Sequence, residues 1–205
     1  MKHLPAAGYL TQPWRNGAGV TQEIARAPDA GEFDWRISMA TVSEDGAFST
    51  FPGVDRTLTV LTGAGIMLAV AGQEARLTPG APFAFPGDLP AAARLMAGEV
   101  TDLNVMTRRG RLSHEVTRQS GPAVIPGPRE SSDHAPRAAR SAGDLPAGDP
   151  GSVPGVDHVL LFALTAFTLN GIDVARFDTL IPEGDETLHL PGGAEVLLIR
   201  LETLP

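Results

Sequence analysis

Short apolar runs separated by turns rich in glycine and proline repeat along most of the chain. Closely spaced runs of this kind are typical of strands in an all-β sandwich or barrel. A helical pattern is weak and is confined to a short alanine-rich helix predicted at 89–97. The predicted strands are 35–42, 57–61, 66–71, 75–77, 83–85, 103–107, 159–164, 167–169, 174–177 and 196–201.

The pair Asn170-Gly171 is the clearest turn signal in the chain. A type I′ turn needs positive φ at both central residues, and Asn-Gly satisfies this at low cost. The sequence therefore predicts a hairpin between 167–169 and 172–174.

The amino-acid composition changes at 119–155, where prolines alternate with Gly, Ser, Ala and Arg and there are few large apolar residues. Such a segment buries too little apolar surface to offset the entropy lost on ordering. We predict a flexible loop or linker at 119–155. It would join a first β unit, 1–118, to a smaller second unit, 156–205, which repeats the strand-and-turn pattern of the first.

Charge and composition limit the classes of partner. A formal net charge of −8 and a pI near 5.0 argue against nucleic acid or an anionic membrane surface. The absence of cysteine excludes disulfides, thiolate metal sites and cysteine nucleophiles. No stretch is apolar for the roughly 18 residues that a membrane helix needs. The expectation is a soluble, cytoplasmic protein, with a homodimer left open.

Candidate chemistry is concentrated on a few predicted strands. Side chains alternate across a strand, so Arg36 and Ser38 share one face, and Asp102, Asn104, Met106 and Arg108 share another. Parity alone leaves two alternatives, in which these polar faces line a cavity or face solvent. Short polar side chains beside arginines favour the cavity.

Arg36 and Arg56 lie among strand-forming residues and need anionic partners if they are buried. Glu23 or Asp55 could neutralise one of them, but two arginines are harder to satisfy internally. The sequence thus predicts a small ligand that carries a carboxylate. The predicted ligand-binding residues are Trp14, Asn16, Arg36, Ser38, Asp55, Arg56, Asn104 and Arg108.

Other chemistries are less well supported. No two of the five histidines lie two residues apart, so the first unit cannot supply an ordinary facial triad, and neither a metal nor another cofactor is predicted. His158 and His189 could meet near Glu183 or Asp185 in the second unit. Three alternatives remain: a binding protein without catalysis, an enzyme acting on a small organic acid with or without metal, and a scaffold that binds a protein partner.

Four blocks of the first unit, 14–25, 35–38, 51–56 and 102–110, resemble in order the HutD/Ves family of bicupin proteins. Ala18 stands where a further glycine is expected. The resemblance implies a cupin-type double β-barrel, that is, a bicupin with RmlC-like jelly rolls, from a bacterial, cytosolic family associated with histidine utilisation or stress response. It also implies a regulatory role through binding a metabolite such as formylglutamate, and it attaches no firm catalytic activity.

Overall fold

The computed structural model describes residues 1–14, 17–128 and 157–204. These residues form β-strands and one 3-10 helix, Ala6–Gly8, and include no α-helix, which confirms the all-β class. The strands are β1 (Lys2–Leu4), β2 (Leu10–Pro13), β3 (Gly19–Ala27), β4 (Trp35–Val42), β5 (Gly46–Ala47), β6 (Val54–Thr62), β7 (Ile66–Val70), β8 (Gln73–Leu77), β9 (Pro82–Pro86), β10 (Ala91–Leu95), β11 (Val100–Arg108), β12 (Leu112–Ser120), β13 (Ala123–Ile125), β14 (His158–Ala163), β15 (Phe167–Leu169), β16 (Ile172–Val174), β17 (Thr179–Ile181), β18 (Leu188–Leu190) and β19 (Glu195–Thr203).

Three antiparallel sheets make up most of the molecule. The front sheet has the order β5-β10-β7-β8, the central sheet β2-β3-β4-β11-β6-β9, and the rear sheet β1-β17-β14-β19-β12. Two small two-stranded sheets, β13-β18 and β15-β16, complete the fold. Among the strands of the described ranges, none of these sheets closes on itself.

Side chains of the central sheet point alternately to its two faces, and both faces are largely buried. One face packs on the front sheet through a core that includes Leu58, Val60, Ile66 and Leu68. The other face packs on the rear sheet through a core that includes Ile37, Leu103, Val105, Leu160, Phe162 and Leu197. The far face of the rear sheet is covered by the two small sheets, with Leu169, Leu188 and Leu190 in that third core.

The predicted hairpin at Asn170-Gly171 is confirmed. Asn170 has φ +50° and Gly171 has φ +78°, and Leu169 pairs directly with Ile172. Most of the predicted strands are also present, often two to four residues longer than the apolar run that marked them. Hydrogen-bonded pairing extends past the apolar residues because polar ends of a strand can still join the ladder.

Two local predictions are wrong. The alanine-rich segment predicted as a helix is strand β10, in which Ala91 and Ala93 are buried while Ala92 and Arg94 are exposed. Burial that alternates at every second residue is typical of a strand. The neighbouring strands β5 and β7 of the front sheet pair with β10 on both sides and hold it extended. The strand predicted at 174–177 ends at Val174, since Phe177 has φ +74° and turns the chain.

The boundary of the predicted linker also needs correction. The first ten residues of 119–155 are described, and they include the end of β12 and the whole of β13, whose Ile125 is buried against the second unit. Residues 129–155 lie outside the described residues. β13 pairs with β18, at residues 188–190, which lie far away in the sequence. The local composition of the linker cannot reveal such a distant partner.

Strand pairing joins the two predicted units. β12, from the first unit, pairs with β19 of the second along its full length, and β1 pairs with β17. The rear sheet is therefore built from both ends of the chain. Within the described residues, no helix is long and apolar enough to cross a membrane.

Candidate functional site

A cavity of about 510 Å³ opens at the polar end of the space between the central and front sheets. Its floor is the central sheet, from which Arg36, Ser38, Arg56, Asp102, Asn104 and Met106 project. Its walls include Trp14 after β2 and the aromatic residues Phe48 and Phe51. The cavity thus combines a charged floor with an apolar rim.

Antiparallel register brings the floor residues together. Asn104 on β11 lies opposite Ser38 on β4, and Met106 lies opposite both Arg36 on β4 and Arg56 on β6. Residues that face each other on neighbouring antiparallel strands have Cβ atoms about 5 Å apart. Three strands that are distant in sequence therefore place their polar side chains on one small patch.

Arg56 and Asp102 are connected through Asn104. The Nε and Nη2 atoms of Arg56 donate to the Asn104 side-chain oxygen at 2.8 and 2.5 Å. The Asn104 amide nitrogen donates in turn to Oδ1 of Asp102 at 2.6 Å. The other carboxylate oxygen of Asp102, Oδ2, is buried and has no hydrogen-bond partner among the described residues.

The guanidinium of Arg56 is almost fully enclosed. Its side chain is 5% exposed, and its Cζ lies 4.7 Å from the Phe48 ring centre and 5.4 Å from that of Phe85. Burial lowers the pKa of Arg56 to about 10; Asp102 opposes this shift and Arg36 adds to it. Arg56 is therefore still a cation at neutral pH, and aromatic rings lie against its guanidinium.

The carboxyl group of Asp102 is shifted in the opposite sense. Burial raises its pKa to about 6, although Arg56 and the Asn104 hydrogen bond both favour the charged form. The ordinary pKa of an Asp side chain is about 3.9, so this shift moves the titration of Asp102 close to neutral pH.

Arg36 is the second cation of the floor. Its Nε donates to Glu23 at 2.6 Å, and both side chains are 16% exposed. No described residue accepts a hydrogen bond from the Nη atoms of Arg36 or from Nη1 of Arg56. Both arginines are held by internal partners on one edge and keep donors for a further acceptor.

Trp14 is fixed in the wall of the cavity. Its indole Nε1 donates to Oγ1 of Thr21 at 2.8 Å. A Cβ atom on Gly19 would collide with the Thr41 carbonyl oxygen and would come within 3.0 Å of the Trp14 ring. The glycine of the sequence block is therefore needed for close packing against the tryptophan.

The structure places two predicted site residues elsewhere. Asp55 follows the opposite parity from Arg56 and accepts from Arg109 at 3.0 and 2.8 Å on the surface. Arg108 is the last residue of β11 and donates to the Pro52 carbonyl oxygen at 3.2 Å. Neither lines the cavity. Asn16 lies outside the described residues.

Sequence reasoning missed part of the site. Asp102 has the same strand parity as Asn104, so the alternation rule places it in the floor even though it was not among the predicted ligand-binding residues. Phe48 and Phe51 carry no such signal, because they lie outside the long strands and reach the cavity only through tertiary packing.

A second cavity of about 330 Å³ lies beside His114. The two ring nitrogens of His114 are 2.8 Å from Oγ1 of Thr57 and 2.7 Å from Oγ1 of Thr107. Burial lowers the pKa of His114 to about 4, with Asp55 opposing the shift. The neutral imidazole therefore joins β12 to the central sheet. In the described part of the chain, no three His, Asp or Glu side chains form a group suited to a metal ion.

His114 should make stability depend on pH. The unfolded chain takes up a proton near pH 6.5 and the folded chain only near pH 4, so this contribution is complete above about 6.5 and is lost as the pH falls towards 4. Replacing His114 by Gln should remove up to roughly 3 kcal/mol of that acid dependence. Urea unfolding at pH 7, 5.5 and 4.5 would measure it, and His189→Gln, at an exposed site, is the matched control. Equal slopes for wild type and His114→Gln would contradict the assignment.

Comparison with known proteins adds the family. The model of the HutD family matches residues 6–135. An uncharacterised 21.2 kDa protein from the hutC 3′ region of Pseudomonas putida is 44% identical over 108 residues. Protein Ves of Citrobacter koseri is 45% identical over 106 residues. Each alignment covers 50% of this chain and 56% of the relative, so the match spans little more than half the length of these curated relatives.

A solved structure is similar over the whole chain. The structure of HutD from Pseudomonas fluorescens SBW25, described as a formate condition, has a TM-score of 0.77 and 27% identity to this chain. The alignment covers 100% of this chain and 99% of that one. The second unit, where sequence similarity fades, thus follows the same fold.

Proposed function

Because the chain belongs to the HutD family, we propose that it binds a small carboxylate-bearing metabolite without transforming it, and that this binding serves a regulatory role in histidine utilisation. The ligand class would be a dicarboxylate or an N-acyl amino acid such as formylglutamate.

One observation carries the proposal: two arginines with unused donors in one cavity. The Phe48 and Phe85 rings lie close to the Arg56 guanidinium, and no described residue accepts a hydrogen bond from the Nη atoms of Arg36. A planar carboxylate matches such donors, because guanidinium and carboxylate form parallel N–H···O bonds.

The remaining lining fits the rest of such a ligand. The cavity volume of about 510 Å³ lies in the usual range of about 300–1,000 Å³ for small-molecule sites. Ser38 offers a hydroxyl in the floor, and Trp14 and Phe51 offer flat apolar surface for a methylene chain. An acid of roughly 10 to 12 heavy atoms, the size of glutamate or formylglutamate, is therefore a reasonable guest.

We also propose the cupin-type double barrel for this chain. The facing central and front sheets would form the first barrel, and the rear sheet with the two small sheets would form the second. The support is that three separate hydrophobic cores lie between successive layers of sheet.

A scaffold role is the second candidate. Arg36 and Arg56 already have internal acceptors in Glu23 and Asn104, as a ligand-free structural network requires. In that case the cavity would be a solvent-filled remnant and a protein partner would carry the function.

Titration with small acids separates the two candidates. N-formyl-L-glutamate, L-glutamate and urocanate would be compared by calorimetry with the neutral diamide of N-formyl-L-glutamate. We expect at least one acid to bind below 1 mM and the diamide not to bind. Arg36→Gln should weaken binding at least about tenfold, the loss of a charge-assisted hydrogen bond.

The control for Arg36→Gln is Arg94→Gln, at an exposed arginine on β10 of the front sheet. This variant should leave the dissociation constant unchanged. If no acid binds below 1 mM, or if acids bind equally well to a variant that lacks both Arg36 and Arg56, the scaffold role replaces the proposed one.

A further inference from the structure

Asp102 presents an electrostatic problem that the binding proposal does not solve. The floor of the cavity contains two cations, Arg36 and Arg56, and the carboxyl group of Asp102, and Arg36 is paired with a second carboxyl group, that of Glu23. With both carboxyl groups ionised, these four groups already balance. A carboxylate guest would add an uncompensated negative charge to a buried site, which is costly.

The geometry shows which group can relieve that excess. Glu23 bonds directly to the Arg36 guanidinium, so protonation would break an ion pair at 2.6 Å. Asp102 touches no cation directly, because Asn104 lies between it and Arg56. Its Oδ2 atom is buried and, among the described residues, has no donor that a proton would displace.

The surroundings of Asp102 contain few other charges. Arg56 on β6 and Arg36 on β4 are the charged side chains of the neighbouring strands in the floor, and Glu23 on β3 is paired with Arg36. The facing wall contributes Trp14, Phe48 and Phe51, which do not titrate near neutral pH. Among the described lining residues, Asp102 is therefore the group best placed to take up a proton.

We propose that the cavity binds its carboxylate guest together with one proton, which comes from solvent and is held on Oδ2 of Asp102. This inference rests on the proposed function. The guest carboxylate replaces Asp102 as the counter-charge of Arg56, while Asn104 keeps both of its hydrogen bonds, since Oδ1 of a protonated Asp102 remains an acceptor. The raised pKa of Asp102 agrees with this exchange.

Proton-coupled binding has a defined signature. The carboxyl groups of N-formyl-L-glutamate titrate near pH 4, so the ligand itself is fully ionised between pH 6 and 8. Uptake of one proton then weakens binding by about tenfold for each pH unit above the pKa of Asp102. Below about pH 6 the dissociation constant should level off.

The experiment titrates the full-length protein with N-formyl-L-glutamate at pH 5.5, 6.5, 7.5 and 8.5. Two phosphate-free buffers with different ionisation heats, Tris and HEPES, are used at pH 7.5. We expect the heats to report uptake of about one proton per ligand bound. In Asp102→Asn, which imitates the protonated acid, the pH slope should vanish, and binding at pH 8.5 should be at least tenfold tighter than in wild type.

Glu74→Gln, at an exposed carboxylate on β8 outside the cavity lining, is the matched control and should keep the pH slope, because it leaves the charge balance of the cavity unchanged. The buffer comparison on wild type tests the proposal even if Asp102→Asn does not fold. Equal affinity from pH 5.5 to 8.5 with no proton uptake overturns the coupling but leaves the binding function intact. Absence of binding at every pH overturns the proposed function, and the coupling with it.

Discussion

Replacing Arg56 by Met should reduce the affinity for a small acid by at least about 30-fold. Truncating one partner of a buried charge pair typically costs about 2–5 kcal/mol of binding energy, whereas an exposed pair contributes less than about 1 kcal/mol. Arg56 is in the first class, because it is 5% exposed and has aromatic rings close to its guanidinium. Calorimetry with N-formyl-L-glutamate would measure the loss.

Met is chosen because it has a similar length and an apolar stem that can pack beside Phe48 and Phe85. Arg94→Met, on the exposed face of β10, is the control for a general effect of removing an arginine. An affinity for Arg56→Met within threefold of wild type would show that the acid binds without this guanidinium.

Phe162→Ala should produce the largest loss of stability. Phe162 is fully buried between the rear and central sheets, and its ring stacks on Phe177 with centres 5.7 Å apart. Truncating a buried Phe to Ala costs about 3–5 kcal/mol. For a chain of this size, that corresponds to a fall in Tm of roughly 6–20 °C, measured by calorimetry or circular dichroism.

The same variant tests whether the two predicted units fold together. Because the rear sheet contains strands from both units, Phe162→Ala should lower a single unfolding transition rather than split it. The control is Leu10→Ala, at a side chain that is 60% exposed, which should change Tm by no more than about 2 °C. A second transition that leaves the first unit unaffected would contradict the shared core.

Local signals in the sequence predicted the fold class well. The Asn170-Gly171 turn, and the apolar run at Trp35–Val42, depend on short-range sterics and on burial of one strand face, so the prediction and the structure agree. The alanine-rich strand β10 was misread because alanine favours helices in isolation, whereas in the molecule its neighbours β5 and β7 impose the extended conformation.

Pairings between strands that are distant in the sequence could not be predicted. Nothing in the composition of β12 indicates that it pairs with β19, and β13 has only three residues. Strand pairing across such sequence separations is decided by which exposed faces remain to be covered. The division at residue 118 followed a real change in composition, but the described residues show that the chain pairs across it.

The site was predicted in part. Strand parity and the need to neutralise buried arginines led to the choice of Arg36, Ser38, Arg56 and Asn104, and in the structure these four residues line one cavity together with Trp14. Strand parity wrongly included Arg108 in the cavity. Arg108 is the last residue of β11, and the alternation of side chains does not show where along a strand the cavity ends. The internal acceptors of the two arginines depend on side-chain rotamers, which no sequence pattern specifies.

A crystal structure of the protein grown with N-formyl-L-glutamate tests the central claim most directly. We predict a carboxylate of the ligand in the cavity, with oxygen atoms about 2.7–3.0 Å from the Nη atoms of Arg36 or Arg56, the distance of charge-assisted hydrogen bonds. Asn104 should remain bonded to Arg56. A ligand bound elsewhere, or a cavity filled by water at ligand concentrations that saturate binding in solution, would contradict the account.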